Sequence, residues 1–297
     1  MDLRYFMATI RQHFVPQGYL RGFTESPESA YVWVYDKRDG RLPARKSVRS
    51  IAWAPSYYAQ EHEDGSEDID SVEKKLALTI DSEIPKIIKS LNSKPGELVN
   101  ISEEDQGKLA FFIGISLTRV PSFRDGINDM YSSVASFALN QVALENEALA
   151  KVIDETGLIA EAKPWVSLRP MVDMANEIAL SALSKNWQFF LPSHDIPFLT
   201  SDNPVLFSGG SVGLKHLGPA HPGAELVINL TKSLSLVCTP KKGLPSLSTF
   251  QLSPNDTRKF NKGIVRAARH RVFSNHKSEK IERLVKNSAG LEQRIIV

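Results

Sequence analysis

The first regular pattern of apolar positions along the chain is that of a strand. The segment Tyr31–Asp36 is dense in aromatic and β-branched residues, and after Asp39 and Gly40 a stretch of alternating residues runs on to Val48. An Asp-Gly pair supplies the positive φ that a tight hairpin turn requires. The pattern therefore predicts an N-terminal β-hairpin.

The middle of the chain, residues 70–186, has the three- and four-residue apolar spacing of helices. Residues 109–117 are apolar on every face, which is typical of a helix buried at the centre of a protein. Pro85 is expected to kink the helix that contains it, and Pro121 to end or bend the central one. Helices are predicted from Ser71 to residue 91, from an N-cap at Ser102 to residue 120, and over residues 126–163 and 169–186.

The pattern changes after Lys185, where short apolar runs alternate with Pro, Gly and Asn. These runs predict an antiparallel sheet over residues 187–250, and a C-terminal helix follows over residues 256–274. Because strands are segregated from helices, the predicted fold class is α+β: a mainly helical core with an N-terminal β-hairpin and a C-terminal antiparallel sheet. No linker interrupts residues 1–297, so a single domain is expected. The strands are predicted at residues 187–191, 197–200, 205–207, 225–230 and 233–238.

Composition narrows the class of protein without naming a function. The 297 residues are 42% apolar and 24% charged, as in an ordinary globular protein. Lys and Arg number 36 against 34 Asp and Glu, and a net charge of +2 does not select nucleic acid as a partner. The lone Cys238 indicates a reducing compartment, and the start of the chain does not resemble a signal peptide. Since no apolar run approaches the roughly 20 residues of a membrane span, we expect a cytoplasmic protein without a membrane partner.

His13 is the first residue with candidate chemistry. It precedes Pro16, where a short helix is predicted to begin. The positive end of that helix would favour the neutral imidazole, which can accept a proton or bind a metal. The alternative is a packed or capping histidine with a structural role.

A charged pair is predicted inside the helical core. Glu73 lies three residues before Leu76, so its side chain is expected on the inward face of its helix. Arg119, at the C-terminal end of the apolar helix, is the natural partner of a buried carboxylate. The two would bind or polarise an anionic group, or form a structural ion pair.

The turn Ser201-Asp202-Asn203-Pro204 follows one predicted strand and precedes another. Asp and Asn are strong turn formers, so a plain structural turn is one interpretation. The other is that a rigid sheet aims Asp202 at a cleft, where it would be an orienting carboxylate or a metal ligand.

Two of these segments carry a resemblance to a known family. The chain has a His-aromatic-x-Pro-x-x-x-Leu-x-x-Phe block from His13 to Phe23, and later the Ser-Asp-x-Pro turn that begins at Ser201. In both it resembles a broad, mostly bacterial family of domains of unknown function, over residues 10–275. The resemblance implies a shared fold but no established activity. The pairing of the two blocks adds weight to His13 and Asp202.

The leading hypothesis is a hydrolase that acts on a phosphoester or nucleic-acid substrate through His13, Glu73, Arg119 and Asp202. A histidine with carboxylates suits acid–base chemistry, with or without a divalent metal, and arginines suit an anionic substrate. The alternative is a non-catalytic binding or sensing module in which the same residues are structural, and a nucleic-acid binder is a third interpretation. The other candidates are Ser201, Asn203, Arg269 and Tyr58 for substrate binding, and Arg41, Arg45, Lys46 and Arg49 for nucleic acid.

Overall fold

The computed structural model describes residues 11–38, 41–62, 64–91, 93–209 and 218–293. The predicted hairpin turn at Asp39 and Gly40 lies outside these residues. The helices are α1 (Gln17–Leu20), α2 (Ser71–Leu76), α3 (Ile84–Ser90), α4 (Glu103–Thr118), α5 (Pro121–Leu144), α6 (Glu147–Thr156), α7 (Leu168–Leu183), α8 (Pro254–Ala267) and α9 (Glu279–Lys286). The strands are β1 (Arg11–His13), β2 (Tyr31–Asp36), β3 (Ala44–Ser47), β4 (Trp53–Pro55), β5 (Gln60–Glu61), β6 (Glu67–Asp68), β7 (Asn186–Leu191), β8 (Thr200–Ser201), β9 (Val205–Ser208), β10 (Glu225–Thr231), β11 (Leu234–Thr239), β12 (Ser248–Gln251) and β13 (Arg271–Ser274).

The C-terminal sheet has five strands in the order β12-β7-β11-β10-β9. Its neighbours are antiparallel, as predicted, except that β12 runs parallel to β7. The parallel pair arises because the chain crosses back after β11 and turns at Leu247, whose φ is 67° and whose N–H bonds to the carbonyl of Trp187. The α+β fold class with a C-terminal antiparallel sheet is confirmed, and β12, which was not among the predicted strands, adds a parallel neighbour to β7.

The N-terminal hairpin belongs to a second sheet, with the order β3-β2-β13-β8. Strand β13 covers residues 271–274, where the sequence predicted the end of a helix. The helix stops at Ala267 because the backbone N–H groups of the next turn bond to the carboxylate of Asp202 instead of to helical carbonyls. A residue distant in sequence therefore ends α8 and starts β13.

Smaller differences concern helix boundaries and one loop. The helix predicted from Ser71 is interrupted after α2 by a π-helical turn over Ala77–Asp81, and Pro85 lies in the first turn of α3. The predicted helix over 126–163 is divided by the N-cap at Asn146. The short hairpin β5–β6 lies in the acidic stretch before α2, where no strand was predicted. Helix α9 was not predicted, because its segment lacks a long apolar run.

Helix α4 lies at the centre of the apolar core, as its sequence predicts. Its residues from Leu109 to Thr118 are buried except for the half-buried Phe111. One contiguous apolar cluster joins α4 to α7 and to sheet residues such as Phe189; the single domain stays a prediction. None of the helices in the described ranges is long and apolar enough to cross a membrane.

Gly114 is required where α4 crosses α7. A Cβ at this position would lie 2.2 Å from the carbonyl oxygen of Ala175, whereas a Cβ at Gly107 of the same helix would meet nothing within 4 Å. We expect Gly114→Ala to lower the free energy of unfolding by about 2 kcal/mol or more, because backbone must move to admit the methyl group. Gly107→Ala is the matched control and should be neutral or stabilising by up to about 1 kcal/mol. Urea denaturation measures both, and equal effects would contradict this packing.

Candidate functional site

Strand β1 is fixed by polar contacts on both sides of the chain. It pairs with β4, so that His13 lies opposite Trp53. The side chain of Gln12 is fully buried; its amide donates to the carbonyl of Ile69 (2.6 Å), and its oxygen accepts the backbone N–H of Tyr58 (2.6 Å). The backbone position of His13 is therefore set from the preceding residue.

The main chain of His13 is held, but its ring is not. The carbonyl of His13 accepts a bond from the guanidinium of Arg119 (2.7 Å) and one from the hydroxyl of Tyr58 (3.1 Å). The imidazole is only 8% exposed, and its Nδ1 lies 3.5 Å from the amide nitrogen of Gln17. Its Nε2 is buried without a hydrogen-bond partner of good geometry among the described residues. Such an unsatisfied buried nitrogen calls for an explanation.

Arg119 forms a buried ion pair with a residue that the sequence did not single out. Its guanidinium, 1% exposed, bonds to both carboxylate oxygens of Asp81 (2.9 and 3.2 Å) and to the hydroxyl of Tyr58 (3.2 Å). The predicted pairing with Glu73 was wrong, because the π-helical turn carries Asp81 onto the inward face. Burial opposes the charge of Arg119, but Tyr58 and Asp81 raise its pKa above the usual value. These bonds tie the guanidinium to other parts of the fold.

Glu73 lies beside the backbone of His13, and the environments of the two residues move their pKa values towards each other. Burial raises the pKa of Glu73, although the His13 backbone and the charge of Arg119 oppose the shift. Burial also lowers the pKa of the His13 imidazole, helped by Arg119 and opposed by the nearby backbone of Arg49 and the charge of Asp81. The neutral imidazole predicted from the sequence is supported, with burial rather than the helix end as the main cause.

The backbone next to His13 is strained. Ala52, which is buried, has a φ of 52°, and Ser56 has a φ of 46°. The carbonyl of Ala52 accepts the N–H of Phe14 (3.0 Å), directly after His13. Left-handed backbone at non-glycine residues costs free energy and is concentrated at functional sites. The π-helical turn that ends at Asp81 is a second local irregularity of this kind.

Asp202 belongs to a different group of contacts. Its carboxylate is buried and accepts the backbone N–H groups of Arg269, His270 and Arg271 at 2.8 to 2.9 Å. Burial raises the pKa of Asp202, and these three bonds oppose that effect. Beside it, the ammonium of Lys37 donates to the last carbonyls of α8. Asp202 thus acts here as a cap between a helix and a strand.

The residues predicted to bind substrate lie either beside His13 or near Asp202. Tyr58 joins His13, Glu73 and Arg119, as described above. The hydroxyl of Ser201 donates to the carbonyl of Asn203 (2.7 Å), whose amide donates to Ala267 (3.2 Å). The guanidinium of Arg269 pairs with Asp125 (2.5 Å). The side-chain contacts that hold Asp202 and those that hold His13 share no residue, so the predicted four-residue site is divided.

In the described part of the chain, neither a metal-binding cluster nor the cleft described below brings the contacts of His13 and those of Asp202 into one site. Within the described ranges, no cluster of three or more His, Cys, Asp or Glu residues could hold a metal ion. A cleft of about 920 Å³ lies between the segment 193–199, α8 and the start of α9. None of His13, Glu73, Arg119 and Asp202 lines it.

Fold and contacts define an α+β protein with a buried histidine site on its N-terminal strand. The chain belongs to the family described as protein of unknown function (DUF4238), whose model matches residues 11–278. The matched span includes both His13 and the Asp202 turn, and the resemblance to a family of unknown function is confirmed. No curated protein and no solved structure matches the chain.

The role of Arg119 predicts a large effect for a substitution that keeps the charge. In Arg119→Lys a single ammonium cannot bond at once to Asp81, Tyr58 and the His13 carbonyl, so we expect a loss of about 3 kcal/mol in the free energy of unfolding. Arg169→Lys is the matched control: that guanidinium is 92% exposed and pairs with Asp173 on the surface. Its effect should stay within about 0.5 kcal/mol. Chemical denaturation measures both, and a loss below about 1 kcal/mol in Arg119→Lys would contradict the assignment.

Proposed function

We propose that this protein is a hydrolase whose acid–base groups are His13 and Glu73. The observation that carries the proposal is the buried Nε2 of His13, which makes no hydrogen bond of good geometry in the described part of the chain, although the backbone of Arg49 lies next to the ring. Arg119 and Tyr58 hold the carbonyl of the same residue. The surroundings thus fix the backbone of His13 and leave its Nε2 without a hydrogen bond of good geometry.

The electrostatics of the two groups suit these roles. Because burial lowers the pKa of His13, its imidazole is neutral at pH 7 and can accept a proton. Because burial raises the pKa of Glu73, more of this carboxyl retains a proton than in water. The contact of the ring with Gln17, at 3.5 Å, is at the limit of hydrogen bonding and resists rotation of the ring only weakly.

Two arginines beside His13 favour an anionic substrate such as a phosphoester or a nucleic-acid strand. The guanidinium of Arg11 stacks 4.7 Å from the ring centre of Trp53, and its charge acts on the His13 ring. Arg49 is exposed, and its backbone lies next to the same ring. Arg11 takes over the role that the sequence assigned to Arg119, which bonds to Asp81 and Tyr58, and to Arg269.

The proposed reaction is hydrolysis of a P–O bond. The oxygen of a water molecule bonds to phosphorus while its proton passes to Nε2 of His13. The P–O bond to the leaving alcohol breaks, and the leaving oxygen takes a proton from Glu73. Each of these proton transfers contributes about 10²- to 10⁴-fold in typical enzymes.

A non-catalytic binding or sensing module is the second candidate. It is favoured by the way Arg119 and Asp202 are satisfied within the fold. In such a module, His13 would serve only to lock β1 against the helical core. The third interpretation, a nucleic-acid binder, loses support because Arg41 and Arg45 pair with carboxylates.

Variants of His13 and Asp202 separate the two candidates. We expect His13→Gln to lower turnover of bis(p-nitrophenyl) phosphate or of a labelled single-stranded oligonucleotide by about 100-fold or more. Its melting temperature should stay within about 2 °C, which corresponds to about 1 kcal/mol for a chain of this length. Asp202→Ala should mainly lower the melting temperature, because three backbone donors lose their acceptor.

His194→Ala is the matched control, since His194 is an exposed loop histidine. It should change neither readout. Retention of turnover in His13→Gln, or absence of turnover of both probes by the unmodified protein, would overturn the proposal.

The opposite pKa shifts predict a bell-shaped pH dependence of kcat/KM. The acid limb reports protonation of His13 and should have its inflection below 6.5, because burial lowers that pKa. The alkaline limb reports ionisation of Glu73 and should lie above 4.5, because burial raises that pKa. Glu73→Gln should therefore abolish the alkaline limb and leave the acid limb in place. A Glu73→Gln profile that keeps its alkaline limb would contradict these roles.

A further inference from the structure

Helix α5 leaves the body of the protein after two turns. Its buried residues are Phe123, Arg124 and Ile127, all at its N-terminal end. From residue 128 to residue 144 no side chain of α5 is buried. In most globular proteins a helix of this length is stabilised by packing of one face.

The exposed part of α5 carries an apolar stripe with the spacing of a coiled coil. Positions 130, 134, 137, 141 and 144 follow the alternating four- and three-residue spacing of a coiled coil. Four of them are apolar, Met130, Val134, Phe137 and Leu144, and the fifth is the polar Gln141. The exposed fractions are 62% for Val134, 66% for Phe137 and 80% for Leu144. Singly exposed apolar residues are common, but a continuous stripe marks an interaction surface.

The chain itself covers a different face of the same helix. The hydroxyl of Ser132 accepts the N–H of Ala162 (2.9 Å), and that of Ser136 donates to the carbonyl of Ala160 (3.0 Å). The segment that returns from α6 thus lies along the serine face. The apolar stripe is left for another partner.

We propose that the stripe of α5, from Met130 to Leu144, is the interface between two copies of this chain. Residues 130–144 include no Asp, Glu, Lys or Arg. A surface without charge is compatible with itself, and identical stripes can meet across a two-fold axis. An anionic membrane surface would instead call for Lys or Arg beside the apolar face.

The spacing and the area also suit a second copy. Pairs of helices with this repeat pack side by side, and a polar residue in the seam fixes their register, as Gln141 would. The three most exposed apolar side chains of the stripe, Val134, Phe137 and Leu144, would supply the centre of the interface. A standard interface buries about 800 Å² per partner. Neighbouring residues on the same face of α5 would supply the rest of that area.

The test is the association state of the full chain as a function of concentration. Sedimentation equilibrium should show a dimer for the unmodified protein. Phe137→Glu should raise the dissociation constant by at least about 30-fold, the effect of losing a central interface residue. Leu144→Glu should act in the same direction, and circular dichroism and the melting temperature should show that both variants stay folded.

Leu180→Glu is the matched control, because Leu180 of α7 is 63% exposed on a helix but lies outside the stripe. It should leave the dimer intact. A monomer at about 100 μM of unmodified protein, or a dimer that persists in Phe137→Glu, would overturn the proposal. So would binding of the unmodified protein to phosphatidylcholine or phosphatidylserine vesicles that Phe137→Glu abolishes, because a membrane would then be the partner.

Discussion

The buried guanidinium of Arg119 is the interaction on which the N-terminal part of this structure depends. It joins the end of α4 to strand β1 through the carbonyl of His13, to Tyr58, and to the π-helical turn through Asp81. A charge removed from water is tolerated only where partners occupy its donors. The segments that meet at Arg119 are therefore fixed relative to one another, and the place of His13 follows from that requirement rather than from its own side chain.

Asp202 imposes a similar constraint where α8 leads into β13. Its carboxylate accepts three consecutive backbone N–H groups and so turns the chain from α8 into β13. This explains which parts of the fold were predictable. The strand Tyr31–Asp36 and the buried helix α4 follow from local apolar patterns, and both were predicted correctly. The end of α8 was not predicted correctly. It is decided by the carboxylate of Asp202, which lies 67 to 69 residues before the N–H groups that it accepts.

The same distinction applies to the candidate site. The sequence indicated His13, Glu73 and Arg119 as polar residues in apolar elements, and the fold brings these three together. The sequence analysis paired Arg119 with Glu73 instead of Asp81, because one π-helical turn changes which residue of the helix faces inward. Helical periodicity assumes a regular helix and cannot foresee that change. Asp202 shared the same kind of turn signal as many functional residues, yet its contacts are those of a cap.

What sets His13 apart from Arg119 and Asp202 is the balance between burial and bonding. The two charged groups are buried and satisfied, which is what stability alone requires. The Nε2 of His13 is buried and unsatisfied, and such a group costs about 1 to 3 kcal/mol. An apolar side chain of similar size would avoid that cost, and the bonds that Arg119 and Tyr58 make to the backbone carbonyl would remain. Stability therefore explains why β1 is anchored at this position, but it does not explain why the position holds a histidine. The acid–base role proposed for the imidazole would explain it.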